Sequence, residues 1–151
     1  MTGDQVTEVC NLMAQTITKE LGLTCGHHSQ GKRVYFQKGY QLPKARDFYV
    51  DFPCGANGTI KARLFAKDDG THVCVYGPDF KNMRKKIRAR ECEVEKLGVD
   101  RFEVYDSEPQ TSTKAVWCRF HHRGSKNWYA NRKQVIQTLK DFLEWLMAVI
   151  A

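Results

Sequence analysis

The sequence predicts an α+β domain: a mainly antiparallel sheet of five or six strands with three helices packed against one face. Three observations predict it. Apolar residues recur at helical spacing near both ends of the chain, and short alternating runs between them are joined by tight glycine turns. Strand and helix patterns also lack the strict alternation that a parallel sheet needs.

The elements follow in chain order. Val6, Val9, Met13, Ile17 and Leu21 share one helical face, so a first helix is predicted over residues 5–21, with Gly22 as its stop and Thr2 with Gln5 as a capping box. Residues 25–32 are polar, contain two glycines and the adjacent His27 and His28, and are predicted to be a loop before a first strand at residues 33–37. Phe48, Val50 and Phe52 alternate with Tyr49 and Asp51. Asn57-Gly58 then precedes Ile60, Ala62 and Leu64, which share a face, so the two runs form a hairpin. Asp68-Asp69-Gly70 leads into residues 72–76 and extends the hairpin to a three-stranded antiparallel meander.

Gly77-Pro78-Asp79 opens a second helix that ends at Gly98, with Phe80, Met83, Ile87 and Val94 as its apolar stripe. Strands at residues 101–105 and 114–122 flank a polar turn over residues 106–113. A last helix covers residues 132–150 and turns Val135, Ile136, Leu139, Phe142, Leu143 and Leu146 toward the core. No repeat, linker or low-complexity tract divides the chain, so residues 1–151 are read as one domain.

The 151 residues, of which 42% are hydrophobic, are enough to bury one core. The longest apolar stretch, residues 142–151, is interrupted by Glu144 and is too short to cross a bilayer, and the first residues lack a signal-peptide pattern. A cytoplasmic location is expected. Cys10, Cys25, Cys54, Cys74, Cys92 and Cys118 are scattered through predicted helices, strands and loops rather than clustered as a disulfide framework, so reduced thiols are expected.

Twenty-four Lys and Arg against seventeen Asp and Glu give a net charge of +7, which draws polyanions toward the chain before any specific contact forms. The distribution is more informative than the total. Residues 81–90 hold six basic residues and no acidic one, and Lys81, Arg84, Lys85 and Arg88 form one contiguous helical face beside the apolar stripe. Such a ridge suits a row of phosphates; the bland reading is a solvated face partly paired with Glu91 and Glu95. Two further segments interleave bases with aromatics: Lys32, Arg33, Tyr35, Phe36, Lys38 and Tyr40, then Lys126, Trp128, Tyr129, Arg132 and Lys133. Arg33, Trp128 and Arg132 are the additional nucleic-acid contacts these segments offer, by cation and π-face together. The alternative is that the aromatics anchor the core while their basic neighbours reach to solvent.

Complete catalytic motifs are missing from the sequence. Cys25, His27 and His28 come early and Cys118, His121 and His122 late, and thiolate with imidazole is zinc chemistry, but strand alternation separates His121 from Cys118 and His122. The same residues could supply a cysteine–histidine nucleophile pair, which only geometry identifies. For a metal-dependent nuclease Asp51 would be the first carboxylate, yet Thr59-Ile60-Lys61 places threonine where the second is required. No catalytic residue, metal ligand or cofactor is assigned.

Three stretches carry a resemblance: residues 71–76 before a helix, residues 87–98 with their Glu93-Val94-Glu95-Lys96-Leu97-Gly98 ending and a following aromatic strand, and Trp117-Cys118-Arg119-Phe120. Across residues 49–146 the run resembles an uncharacterised domain family associated with restriction-endonuclease-like proteins. Phe102 and Tyr105 stand where that family often has tryptophan. The resemblance implies an α+β accessory or binding domain near nuclease systems, and no catalytic residue.

The reading is non-catalytic binding of nucleic acid or a nucleotide through Lys81, Arg84, Lys85 and Arg88. A small protein-binding module or inhibitor from a mobile-element or defence context, docking on an acidic protein partner, is the second reading; an enzyme acting on a nucleotide or nucleic acid is the third.

Overall fold

The computed structural model of the chain describes residues 2–29, 32–35, 47–53, 59–67, 70–76, 80–106, 115–122 and 129–150. Helix α1 spans Gly3–Leu21 and begins at a reciprocal cap. The Gln5 backbone N–H donates to Thr2 Oγ1 at 3.2 Å, and the Thr2 backbone N–H donates to Gln5 Oε1 at 3.0 Å. Val9, Cys10, Met13, Ala14 and Ile17 form its buried stripe. The helix stops at Gly22, whose φ of 65° is left-handed and open to glycine without steric cost.

The strands are β1 (Thr24–Ser29), β2 (Lys32–Tyr35), β3 (Asp47–Pro53), β4 (Thr59–Lys67), β5 (Gly70–Tyr76), β6 (Val99–Asp106) and β7 (Ala115–His122). They form one seven-stranded sheet in the order β2-β1-β3-β4-β5-β7-β6, with every neighbouring pair antiparallel. Cys25 pairs with Val50, Val50 with Ala62, Ala62 with Val75, and Val73 with Cys118. Directly paired residues share a face. Cys25, Val50, Val73, Val75 and Cys118 therefore mark the sheet's buried face.

Helix α2 (Phe80–Ala89) lies against β6 and β7, α1 against β1, β3 and β4, and α3 (Arg132–Ile150) against both of those helices. Val135, Ile136, Leu139, Phe142, Leu143, Leu146, Val149 and Ile150 of α3 are buried in the same cluster as the α1 stripe and the covered face of the sheet. Burying such side chains contributes about 1.5–3 kcal/mol each for the larger ones. No helix among the described residues is long and apolar enough to cross a membrane.

The expected architecture of five or six strands with three helices is corrected. The sheet has seven strands, and the described interior is built mainly by helices, with the strands adding a minority of its buried side chains. The additional strand is β1, where a loop was predicted over residues 25–32. Its glycine and histidines carry little strand propensity, but its backbone pairs with β2 on one side and β3 on the other, and this pairing overrides composition.

The second helix is corrected as well. It does not run unbroken to Gly98: α2 ends at Ala89, Arg90 leaves the helical region at φ −122° and ψ 12°, and a 3₁₀ segment covers Glu91–Leu97. The tighter turn is closed by a bond of 3.0 Å from the Glu93 N–H to the Arg90 carbonyl, and it carries Val94 into the core. Gly98 ends the segment at φ 86°.

Candidate nucleic-acid interface

The geometry of α2 follows from its two buried anchors. Met83 and Ile87, four residues apart, sit in the core and fix the rotation of the helix. Lys81, Lys85 and Arg88 are exposed as a consequence, and Arg84, at the boundary between the two faces, is half-buried. At about 100° per residue the four bases fall within an arc of about 100°. From Lys81 to Arg88 the ridge is about 10 Å long, the rise of about three base pairs.

Among the described residues no carboxylate lies within salt-bridge distance of Lys81, Lys85 or Arg88, and Glu91 and Glu95 are not their partners. The acid that does pair is Glu93, and it takes Arg90: Nη2 is 2.8 Å from Oε1 and Nε 2.8 Å from Oε2. The Arg90 hydrogen bond holds the Glu93 carboxyl below its ordinary range. Trp145 Nε1 also donates to Glu93 Oε1 at 3.4 Å, joining the 3₁₀ segment to α3. Within α2 Lys81 and Lys85 stand four residues apart and Lys85 and Arg88 three apart, and like charges at these spacings repel, at about 0.2–0.5 kcal/mol per pair. Lys86 and Arg88 recover part of this by lying at the negative end of the helix dipole.

The other predicted contacts have different settings. Arg132, the first residue of α3, is engaged on three sides. Its guanidinium lies 4.4 Å above the Tyr129 ring centroid, Nη1 donates to the Tyr129 carbonyl at 3.0 Å, and Nε is 3.5 Å from Glu8 Oε1. Glu8 also accepts the Tyr129 O–H, so these three residues clasp the start of α3 to α1, and that hydrogen bond pushes the Tyr129 hydroxyl pKa up. Arg33 lies on the edge strand β2, paired with His28 of β1. Trp128 lies outside the described residues, as do Phe36, Lys38, Tyr40 and Lys126.

Strand order separates the conceivable zinc ligands. Cys25, His27 and His28 are on β1, and Cys118, His121 and His122 are on β7, with β3, β4 and β5 between them. Four strand intervals of about 4.8 Å place the groups about 19 Å apart, beyond the reach of one ion. Among the described residues no group of three His, Cys, Asp or Glu is placed to hold a metal.

Residue spacing missed one grouping altogether. Lys61 and Arg63 of β4 and Arg119 of β7 come onto one face of the sheet through strand register, on the side opposite Val50, Val75 and Cys118. The alternation within each strand hinted at the shared side, and strand order then sets Arg119 two strand intervals from β4, level with Phe65 rather than with Lys61 or Arg63. Compared with known proteins, the chain matches no family model, no curated protein and no solved structure.

Proposed function

We propose that this protein binds nucleic acid, or a nucleotide, without altering it chemically, and that Lys81, Arg84, Lys85 and Arg88 on α2 contact phosphate. The observation that carries this reading is the mutual repulsion of Lys81, Lys85 and Arg88 on a helix whose rotation is fixed by Met83 and Ile87, beside an Arg90 that has its own carboxylate. A phosphate backbone relieves the repulsion, and each phosphate neutralised releases a counterion. The resemblance of residues 49–146 to a domain family associated with restriction-endonuclease-like proteins points to the same partner class.

The test is fluorescence anisotropy of labelled DNA and RNA, single-stranded and duplex, across a salt series. Four phosphate contacts give a slope of log affinity against log salt of about −3.6 on duplex, or about −2.8 on a single strand. Changing Lys81, Arg84, Lys85 and Arg88 together to Ala removes that slope while the far-ultraviolet circular dichroism is unchanged. Binding by this variant equal to the wild type, or no binding by the wild type at low salt, overturns the proposal and leaves an acidic protein partner as the reading to pursue.

A further inference from the structure

The outward residues of α2 follow one another in a fixed order around the helix. With Met83 and Ile87 in the core, a rotation of about 100° per residue gives Arg84, Arg88, Lys81, Lys85, Ala89, Asn82 and Lys86 around the remaining side. Burial agrees with this order. Arg84 and Lys86, at its two ends, are half-buried, and the five residues between them are exposed. The ridge therefore occupies one flank, and Lys86 stands on the other, about 200° from Arg84. Between Lys85 and Lys86 lies a strip about 100° wide that carries no charge. It consists of Ala89 and Asn82, which are about 10 Å apart along the helix axis.

Two further features bear on what this surface can hold. From residue 81 to residue 89 the helix has no aromatic side chain, and it has no acid. Glu91 and Glu95, both exposed, follow only on the 3₁₀ segment, after α2 has ended at Ala89.

These features choose among nucleic acids. Proteins hold single strands with cations and rings together, and the exposed face of α2 offers cations alone, so unstacked bases gain nothing there. Phosphates of one strand need bases along one line, which leaves Lys86 and the uncharged strip without a role. The major groove of B-form DNA has a backbone on each side and base edges between them. It is about 12 Å wide and about 8.5 Å deep, and it admits a helix whose diameter with side chains is about 10–12 Å. In duplex RNA the corresponding groove is deep and too narrow for side chains to read.

We infer that α2 lies in the major groove of duplex DNA, with the ridge along the phosphates of one strand, Lys86 on those of the other, and Asn82 and Ala89 facing the base edges between. The inference rests on the proposed function and adds to it the kind of nucleic acid and the groove. Asparagine meets adenine at N6 and N7, and the alanine methyl meets the methyl of thymine, so both positions select A·T pairs. The Asn82 amide has two donors and two acceptor lone pairs, enough to serve a base edge and keep a contact within the protein. At about 10 Å apart, the two positions read about three base pairs.

The experiment measures fluorescence anisotropy with the full chain and labelled probes of equal length: DNA duplexes rich in A·T or in G·C, an RNA duplex and a single DNA strand. Lys86→Gln, which keeps most of the apolar stem of a half-buried side chain, and Asn82→Ala are compared with the wild type and with the quadruple variant of the ridge. Circular dichroism and thermal melting verify folding. The wild type binds duplex DNA at least about tenfold more tightly than duplex RNA or the single strand, and prefers the A·T-rich duplex about tenfold. Lys86→Gln reduces the salt slope by about 0.9. Asn82→Ala leaves the slope and removes the A·T preference, as does 7-deazaadenine in the duplex, which lacks the N7 acceptor of the major groove. Equal or tighter binding of duplex RNA or of the single strand overturns the inference, as do folded Lys86→Gln and Asn82→Ala variants that both keep the slope and the preference of the wild type. If the quadruple variant loses binding while those two change nothing, the proposed function stands and this inference falls. If the quadruple variant binds like the wild type, both fall.

Discussion

Arg90 and Glu93 face each other through two contacts of 2.8 Å, and this pair separates the basic ridge of α2 from the acidic 3₁₀ segment that follows. Glu93 thereby pairs with the last base of the 81–90 run, on the side of α2 away from the ridge, and it accepts Trp145 Nε1 from α3 as well.

Glu93→Gln is expected to lower the thermal midpoint at neutral pH and to leave Arg90 available, strengthening nucleic-acid binding severalfold at low salt. The pH dependence has a definite sign. Arg90 depresses the folded-state pKa of Glu93 below its reference of 4.5, so its contribution to stability is full above that value and is lost as pH falls through the folded pKa. The gap in midpoint between wild type and Glu93→Gln should close on acidification below about pH 4.5. A constant gap from pH 7 to pH 2 would show that the ion pair does not contribute.

At the other end of the helical layer, Tyr129→Phe removes the hydrogen bond to Glu8 and is expected to lower the urea midpoint. The Tyr129 pKa is raised chiefly by that bond, so its contribution is present below about pH 10 and is lost as pH rises through the folded value. Urea titrations at pH 8 and pH 11 check this: the difference between the variant and the wild type should shrink at the higher pH.

Phe142 is fully buried on α3, with ring centroids 5.7 Å from both Phe102 on β6 and Trp145 on its own helix. Phe142→Ala is expected to cost about 3–5 kcal/mol in chemical denaturation, from the lost burial and the cavity left behind. A cost under about 1 kcal/mol would mean that α3 does not anchor the core.

Gly98 has a φ of 86°, and a Cβ added there would stand 3.8 Å from Thr138 Oγ1, an ordinary contact. Strain from substitution is therefore in the backbone alone. Gly98→Ala is expected to cost about 1–2 kcal/mol in urea denaturation, and Gly98→Asn less, since asparagine tolerates left-handed φ better.

Lys85→Glu separates stability from binding. It replaces repulsion with attraction toward Lys81 and Arg88, raising stability by a few tenths of a kcal/mol, about 0.2–0.5 for each pair. It also removes a cation from the ridge, so affinity for nucleic acid should fall while the thermal midpoint rises. A parallel fall in both would contradict the self-repulsion of the ridge.

The sequence by itself determined the local features. The Thr2 and Gln5 cap, the stripe of α1, the apolar side of α3 and the four bases of α2 are written within one or two helical turns, where the 3.6-residue period sets which residues meet. Tertiary structure alone decided the rest. It drew the glycine- and histidine-bearing segment of β1 into the sheet between β2 and β3, and placed β7 between β5 and β6. It bound Arg132 into a clasp with Glu8 and Tyr129, two residues 121 positions apart, and set Arg63 and Trp117 in one row. The physical reason is range. Periodicity and capping act between near neighbours, whereas strand order, register and cross-helix hydrogen bonds are chosen by how much backbone can pair and how much apolar surface can be buried at once.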